Sequence, residues 1–292
     1  MHVFVDLYLN GQYEGVYLLC DQIETGEGRV DIDESLASDG VNGCLLEMDS
    51  IDHLEADPDE ILGTTYFQVD DEYYSIKTPD TDDEDYLSDP SIYVDYISNY
   101  LEEVDDALNG NDYSKVTDLI DIQSFADTYI VQELMDNPDV GYSSFYLYKD
   151  KDGKLFAGPV WDFDIAAGNI DYDMGDSYEC SPDSGLWAAT ANPFYSKLLS
   201  FTDFDTEVTK ELTDHEEDLE DVINLLDIDN PNGIYQQYKN AMNRNFDRWN
   251  IMGQYTWPEP MTVYLLNSFE KQQKYLYVWL NERLEYIKTR YL

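Results

Sequence analysis

At 292 residues, with 43% hydrophobic residues and 26 tyrosines, the chain can bury a substantial core as one large domain or two smaller ones. Its 63 acidic residues against 16 basic ones give a formal net charge of −47, which excludes nucleic acids and anionic membranes as partners because both would be repelled. The same charge favours cationic partners, such as divalent metals or basic peptides, or else reflects solubility in a high-salt or extracellular setting.

The first 80 residues predict a β-rich unit. Val3 to Leu9 partly alternates between apolar and polar residues, Asn10-Gly11 is a strong hairpin-turn signal, and Val16 to Leu19 returns as an apolar strand. Further strands are predicted at Gly43 to Met48, Tyr66 to Val69 and Tyr73 to Lys77, with a polar excursion over residues 50–62.

An acidic linker at residues 78–85 separates this unit from a helical one. From Pro90, apolar residues recur at three- and four-residue steps up to Asn109-Gly110, which predicts a helix and its end. A second, amphipathic helix is predicted at 123–136, with Phe125, Tyr129, Ile130 and Leu134 on one side. Later helices are predicted at 193–200, 204–227, 232–249 and 260–290.

Between these helices, three carboxylates surround a predicted hairpin whose turn lies at residues 150–153. Asp139 precedes its first strand, and Asp162 and Asp164 follow its second. Phosphoryl transfer from a nucleotide needs one carboxylate near the attacking hydroxyl and one or two more to hold Mg²⁺ against the phosphates. The alternative is that Asp-rich loops are simply expected in a chain this acidic.

Cysteine and histidine give little basis for a metal centre. Cys20, Cys44 and Cys180 form no CxxC pair and indicate no disulfide framework, and the apolar runs around the first two predict buried thiols. The three histidines lie in unrelated segments, so only the fold could assemble a histidine site from them. No apolar run reaches transmembrane length, and the N-terminus has no basic, apolar signal segment, so we expect no membrane insertion.

Five blocks of sequence follow one another over residues 3–205. They are DLYLNGQYEGVYLLCDQIE, NGCLLEMD, YYSIKTP, the long run from Ser124 to Asn169, and FYSKLLSFTDF. In this order they resemble the CotH family of spore-coat and secreted atypical protein kinases. The resemblance implies an α+β, kinase-like two-lobe fold. Residues 1–80 would form a small antiparallel β lobe, without some upstream family sequence, and 81–292 a larger, mainly helical lobe with the catalytic hairpin, together one kinase-like domain.

The resemblance implies ATP with Mg²⁺ or Mn²⁺ as cofactors, held by the carboxylate hairpin. Asp139 would face the acceptor hydroxyl, and Asp162 of the family's WDxD motif would bind the metal. Asp164 would be a second ligand or a cap for the following segment. Ser144 occupies the position at which protein kinases carry a metal-binding Asn, and serine is a poorer ligand.

The remaining nucleotide contacts are also implied by the resemblance. Trp161 would stack on adenine, or else belong to the core. Lys77, an isolated cation at the end of a strand, would bind phosphate, and Glu47 would pair with it or point to solvent. Arg29 would contact phosphate. No GxGxxG phosphate loop is present, and Asp21 stands where the family often has Glu.

The resemblance implies a bacterial extracellular or cell-surface kinase that acts on Ser or Thr of surface proteins. The acidic composition favours basic protein or peptide substrates for it. Ser144 and the absent upstream sequence motivate an alternative, a weak or inactive relative that serves as a surface binding or scaffold module. A calcium-stabilised acidic protein is a further alternative, although Asp150-x-Asp152-Gly153 and Asp227-x-Asp229 lack the closing Glu of an EF-hand. Paired carboxylates would also suit a glycosidase, but 63 acidic residues make such pairs uninformative.

Overall fold

The computed structural model describes residues 2–53, 61–171 and 181–292. The chain begins with an antiparallel hairpin of β1 (Val3–Leu9) and β2 (Gln12–Leu19). Asn10 and Gly11 form its turn with φ values of 51° and 79°, the left-handed conformation that a tight hairpin turn requires. The sequence prediction of this hairpin is therefore confirmed.

A five-stranded antiparallel sheet lies at the centre of the described structure. After the short pair β3 (Leu36–Ala37) and β4 (Gly40–Val41), its strands are β5 (Gly43–Met48), β6 (Tyr66–Val69), β7 (Glu72–Thr78), β8 (Phe145–Asp150) and β9 (Phe156–Ala157). Their order is β6-β7-β5-β8-β9, so β5 is the central strand. It pairs with β7 on one side and β8 on the other.

The pairing of β5 with β8 changes the expected place of the carboxylate hairpin. The sequence analysis put this hairpin in the helical part of the chain, beyond residue 81. Its strands instead extend the sheet of the first 80 residues, because Phe145 and Leu147 present apolar side chains to the same core as Leu46 and Met48. The fold is mixed α/β with small antiparallel sheets, and the kinase-like division into two lobes stays a prediction.

Ten α helices lie within the described residues. They are α1 (Glu84–Ser88), α2 (Pro90–Leu108), α3 (Tyr113–Leu119), α4 (Ile122–Met135), α5 (Ala188–Ala191), α6 (Pro193–Leu198), α7 (Thr202–Asn224), α8 (Ile234–Arg248), α9 (Met261–Tyr264) and α10 (Phe269–Tyr291). Short 3₁₀ helices occur at Ile51–His53 and Pro138–Gly141. Throughout the described ranges, every helix is too short or too polar to span a bilayer.

Two helix predictions need correction, and three short helices were not predicted. The helix predicted at 260–290 is two helices, because the Ser268 side chain caps the start of α10 by accepting the Lys271 N–H. The predicted amphipathic helix, α4, is buried on most of its surface and includes buried Gln132 and Glu133. The sequence analysis did not predict α1, α3 and α5, each of seven residues or fewer.

The structure confirms one of the two predicted buried cysteine thiols and contradicts the other. Cys44, within the central strand, is buried as predicted, and burial raises its pKa to about 12. Cys20 is exposed, so that prediction is wrong. It directly follows β2, whose last residues Leu18 and Leu19 are themselves exposed, so the apolar run does not mark a covered face. Cys180 lies outside the described residues.

Candidate nucleotide and metal site

Strand alternation gives the central sheet two chemically different faces. One face is apolar: Leu46 and Met48 of β5 pack in the same core as the helices. On the other face, Glu47 lies directly opposite Ser75 of β7 and Tyr146 of β8. This second face of the sheet therefore carries Glu47, Ser75 and Tyr146 side by side on neighbouring strands.

Lys77 and Glu47 form an ion pair on this face. The register of β5 and β7 shifts between Leu45 and Leu46, so Lys77 is the extra residue of a β-bulge. Its Nζ lies 2.6 Å from Oε2 of Glu47, while 39% of the Lys77 side chain remains exposed. Glu47 is only 8% exposed, which makes Lys77 the cation that compensates a buried carboxylate. Of the two predicted alternatives for Glu47, the structure shows pairing with Lys77.

Tyr146 is a neighbour of Glu47 that the sequence analysis missed. Burial first, and then the charge of Glu47 and a hydrogen bond to it, raise the pKa of the Tyr146 hydroxyl well above its usual range. The hydroxyl therefore stays protonated and donates to the Glu47 carboxylate. Sequence alternation along β8 could have placed Tyr146 on this face, but the identity of its cross-strand partner depends on register.

A cleft of about 680 Å³ opens between the loop after β2 and the segment after β9. The predicted contacts Trp161 and Arg29 both line it, together with Tyr148 of β8. Trp161 is partly buried, so its indole belongs to the wall of the cleft and not to the closed core. A planar aromatic wall in an open cleft of this volume is suited to stacking against a purine.

Arg29 is already engaged by its own loop. Its guanidinium contacts the carboxylate of Glu24 and lies 3.6 Å from Oδ1 of Asp21. The loop approaches β7 where the hydroxyl oxygens of Thr25 and Thr78 lie 3.5 Å apart, next to Lys77. An incoming phosphate would have to compete with these two carboxylates for Arg29.

The loop that carries Asp139 is held by backbone and amide contacts. Asn137 caps the 3₁₀ helix Pro138–Gly141, its side chain accepting the Asp139 N–H at 3.2 Å. The Trp187 indole donates to the Pro138 carbonyl at 3.1 Å, and the Asn192 amide donates to the Val140 carbonyl at 2.7 Å. Asp139 therefore projects from a short segment that is fixed on both sides.

A buried arginine far along the chain supports this loop, and the sequence analysis did not find it. Arg283 of α10 is fully buried and lies 3.0 Å from Glu133 and 3.2 Å from Asp136. Asp136 has φ of 45° and ends α4 immediately before Asn137. Acidic residues within an otherwise apolar helix were the available sequence signal, but their partner lies about 150 positions away.

The three carboxylates of the hairpin influence one another. Burial, Asp162 and Asp164 raise the pKa of Asp139, and burial, Asp164 and Glu47 raise the pKa of Asp162. The structure thus places Asp139 and Asp162 within electrostatic reach of the other hairpin carboxylates. Their mutual repulsion is the electrostatic setting that a bound divalent cation would relieve.

Within the described ranges, no group of three or more His, Cys, Asp or Glu side chains is arranged to hold a metal ion. One or two carboxylates are nevertheless enough for Mg²⁺ when nucleotide phosphates and water supply the remaining oxygens. Asp162 and Asp164 are both exposed and fit that donor set. Asp162 has φ of 62°, and Ser144 has φ of 57° just before β8. The metal roles of Asp162, Asp164 and Ser144 stay predictions.

The sequence of the chain matches a known protein family. The family model described as "CotH kinase protein" matches residues 1–287, nearly the whole chain. No curated protein matches the chain.

Proposed function

We propose an activity for this chain, which belongs to the CotH kinase family: it transfers the γ-phosphoryl group of ATP to Ser or Thr side chains of proteins, with Mg²⁺ or Mn²⁺. The observation that carries the proposal is the position of Asp162, which directly follows Trp161 of the cleft wall and whose pKa is raised by burial and in part by the charge of Glu47. Trp161 and Arg29 line the cleft, Lys77 and Glu47 form an ion pair, and the Asp162 carboxylate follows directly after Trp161.

Each part of this arrangement has a role in phosphoryl transfer. The cleft would hold the base against Trp161, and Lys77 would bind phosphate oxygens as a point charge. Asp162 and Asp164 would hold the divalent cation, which neutralises charge on the phosphates. Asp139 would orient the acceptor hydroxyl and accept its proton late in the reaction.

The surface charge and the family suggest where the protein works. The family is associated with spore-coat or surface proteins, and we extend this association to an extracellular or cell-surface location. With a formal net charge of −47, the protein would favour protein or peptide acceptors that carry basic residues. Nucleic acids would be repelled.

Binding and transfer measured in one preparation test the proposal. We expect ATP to bind in the presence of Mg²⁺ or Mn²⁺ and the terminal phosphate to appear on the protein itself or on a basic acceptor protein. Asp139→Asn should retain metal-dependent ATP binding and lose phosphate transfer. Binding by the native protein without transfer to any Ser- or Thr-containing acceptor would support the inactive, scaffolding alternative, and absence of binding would contradict the nucleotide site.

A further inference from the structure

The end of the central strand lies beside the loop that carries Asp139. Met48, the last residue of β5, pairs with Phe145, the first residue of β8. The chain that leaves β5 and the chain that enters β8 therefore meet at the same end of the sheet. The chain after β5 runs through Asp49 into the 3₁₀ helix Ile51–His53, and residues 138–144 lead into β8.

Several hydrogen bonds hold Asp49 at that end of the sheet. Its backbone N–H donates to the Tyr73 carbonyl at 3.0 Å, and its side chain accepts the Ser50 N–H at 2.9 Å and the Tyr66 hydroxyl at 3.4 Å. The same carboxylate accepts a hydrogen bond from Nδ1 of His53, at 2.8 Å. The imidazole is thereby oriented by a group that is itself fixed to the sheet.

The other contact of His53 leads to the Asp139 loop. Its ring meets the Tyr142 ring edge-to-face, with centroids 5.0 Å apart and an angle of 89°. The Tyr142 and Ser143 N–H groups both donate to the backbone carbonyl of Asp139, at 2.8 and 2.9 Å. A continuous series of contacts thus joins the end of β5 to the backbone of Asp139.

We propose that His53 is a positioning residue that holds the Asp139 loop against the end of β5 through Asp49 and Tyr142. The inference rests on the proposed function for its kinetic consequences, but the mechanical link is a property of the fold. Histidine is suited to this place because one ring supplies both a hydrogen-bond donor and an aromatic edge.

Three substitutions at this position separate the two contacts. His53→Asn keeps a nitrogen donor for Asp49, His53→Phe keeps a ring for Tyr142, and His53→Ala keeps neither. His53 retains 46% exposure of its side chain, so these changes open no core cavity. His215→Ala is the matched control, because His215 is similarly exposed and bonds Asp218 at 3.0 Å on the surface of α7.

In steady-state kinetics, His53→Ala should lower kcat by on the order of tenfold to a hundredfold, as expected for a misplaced catalytic group. The KM for ATP should stay within about twofold of the wild-type value, since the substitution leaves the proposed ATP contacts in place. His53→Asn and His53→Phe should each recover part of the lost kcat. An unchanged kcat in His53→Ala, or an equal loss in His215→Ala, would overturn the proposal.

Hydrogen–deuterium exchange of the nucleotide-free protein tests the link without any activity. His53→Ala should speed exchange in peptides covering residues 137–144, where the Tyr142 and Ser143 amides lie, and His215→Ala should not. Faster exchange in a protein without kinase activity would reject the proposed function and retain the positioning role. Unchanged exchange in that peptide would overturn the positioning role whatever the activity.

Discussion

The Nζ of Lys77 lies 2.6 Å from Oε2 of Glu47, across a β-bulge between β7 and the central strand. The carboxylate is almost buried while the lysine remains partly exposed toward the polar face of the sheet. The bulge allows one cation to satisfy a buried acid and still reach solvent. In the proposed function, this lysine would receive a phosphate without a change in the backbone.

Replacing this lysine should weaken the use of ATP. Lys77→Met removes the phosphate-binding charge and leaves Glu47 without its cation, so we expect the KM for ATP to rise by roughly tenfold to a hundredfold, the equivalent of one charged hydrogen bond. Lys151→Met is the control, since Lys151 has 40% side-chain exposure and pairs with Asp39 at the hairpin turn. Equal KM values in the two variants would argue against a role of Lys77 in phosphate binding.

The indole in the cleft should contribute to nucleotide affinity. Trp161→Ala should weaken ATP binding by about 1–3 kcal/mol, the range measured for base stacking on aromatic side chains. Trp161→Phe should retain more than half of this free energy because it keeps a planar ring. Calorimetric titration measures both, with Trp257→Ala as a control at a 69% exposed indole outside the cleft. If Trp161→Ala bound ATP with wild-type affinity, the indole would line the cleft without stacking on the base.

The buried arginine should be important for stability. Arg283→Met would leave Glu133 and Asp136 buried without their cation, and we expect a loss of about 3–5 kcal/mol in the free energy of unfolding. Arg290→Met removes an exposed pair with Asp205 on the same helix and should cost about 1 kcal/mol or less. Chemical denaturation compares the two variants. Similar losses would show that the buried cluster is no more costly to break than a surface pair.

The same cluster should make stability depend on pH. Burial raises the pKa of Glu133 to about 7 even though Arg283 opposes the shift. An unfolded Glu has a pKa of about 4.3, so between this pH and pH 7 the folded state binds more protons than the unfolded state. The contribution of Glu133 to stability is therefore complete below a pH of about 4.3 and is lost as the pH rises toward 7. Glu133→Gln does not titrate. The stability of the wild type relative to Glu133→Gln should therefore fall between pH 5 and pH 8, as measured by urea denaturation, and a constant difference would contradict the raised pKa.

Local patterns predicted much of the fold, since a turn such as Asn10-Gly11 and the alternation in β5 are written in adjacent residues. The sequence also predicted that three carboxylates flank one hairpin, because these residues lie close to one another along the chain. The pairing of β5 with β8 was not predicted, because two strands about a hundred positions apart leave no local trace of their register. Arg283 was missed for the same reason.

His53 shows a second limit of sequence reasoning. Its residue type suggested no site because the histidines are few and scattered. Its relation to the Asp139 loop arises only where the chain leaving β5 meets the chain entering β8. Contacts of this kind depend on tertiary structure and have no motif.

Metal-dependent phosphate transfer by Asp162→Asn is the most direct test of the central claim. Asp152→Asn, at the exposed turn of the same hairpin, is the matched control. We expect the wild type and Asp152→Asn to incorporate phosphate from ATP with Mg²⁺ or Mn²⁺, and Asp162→Asn to incorporate none while keeping the wild-type melting temperature. Undiminished Mg²⁺-dependent incorporation by a folded Asp162→Asn protein would contradict the assignment of this hairpin as the catalytic metal site.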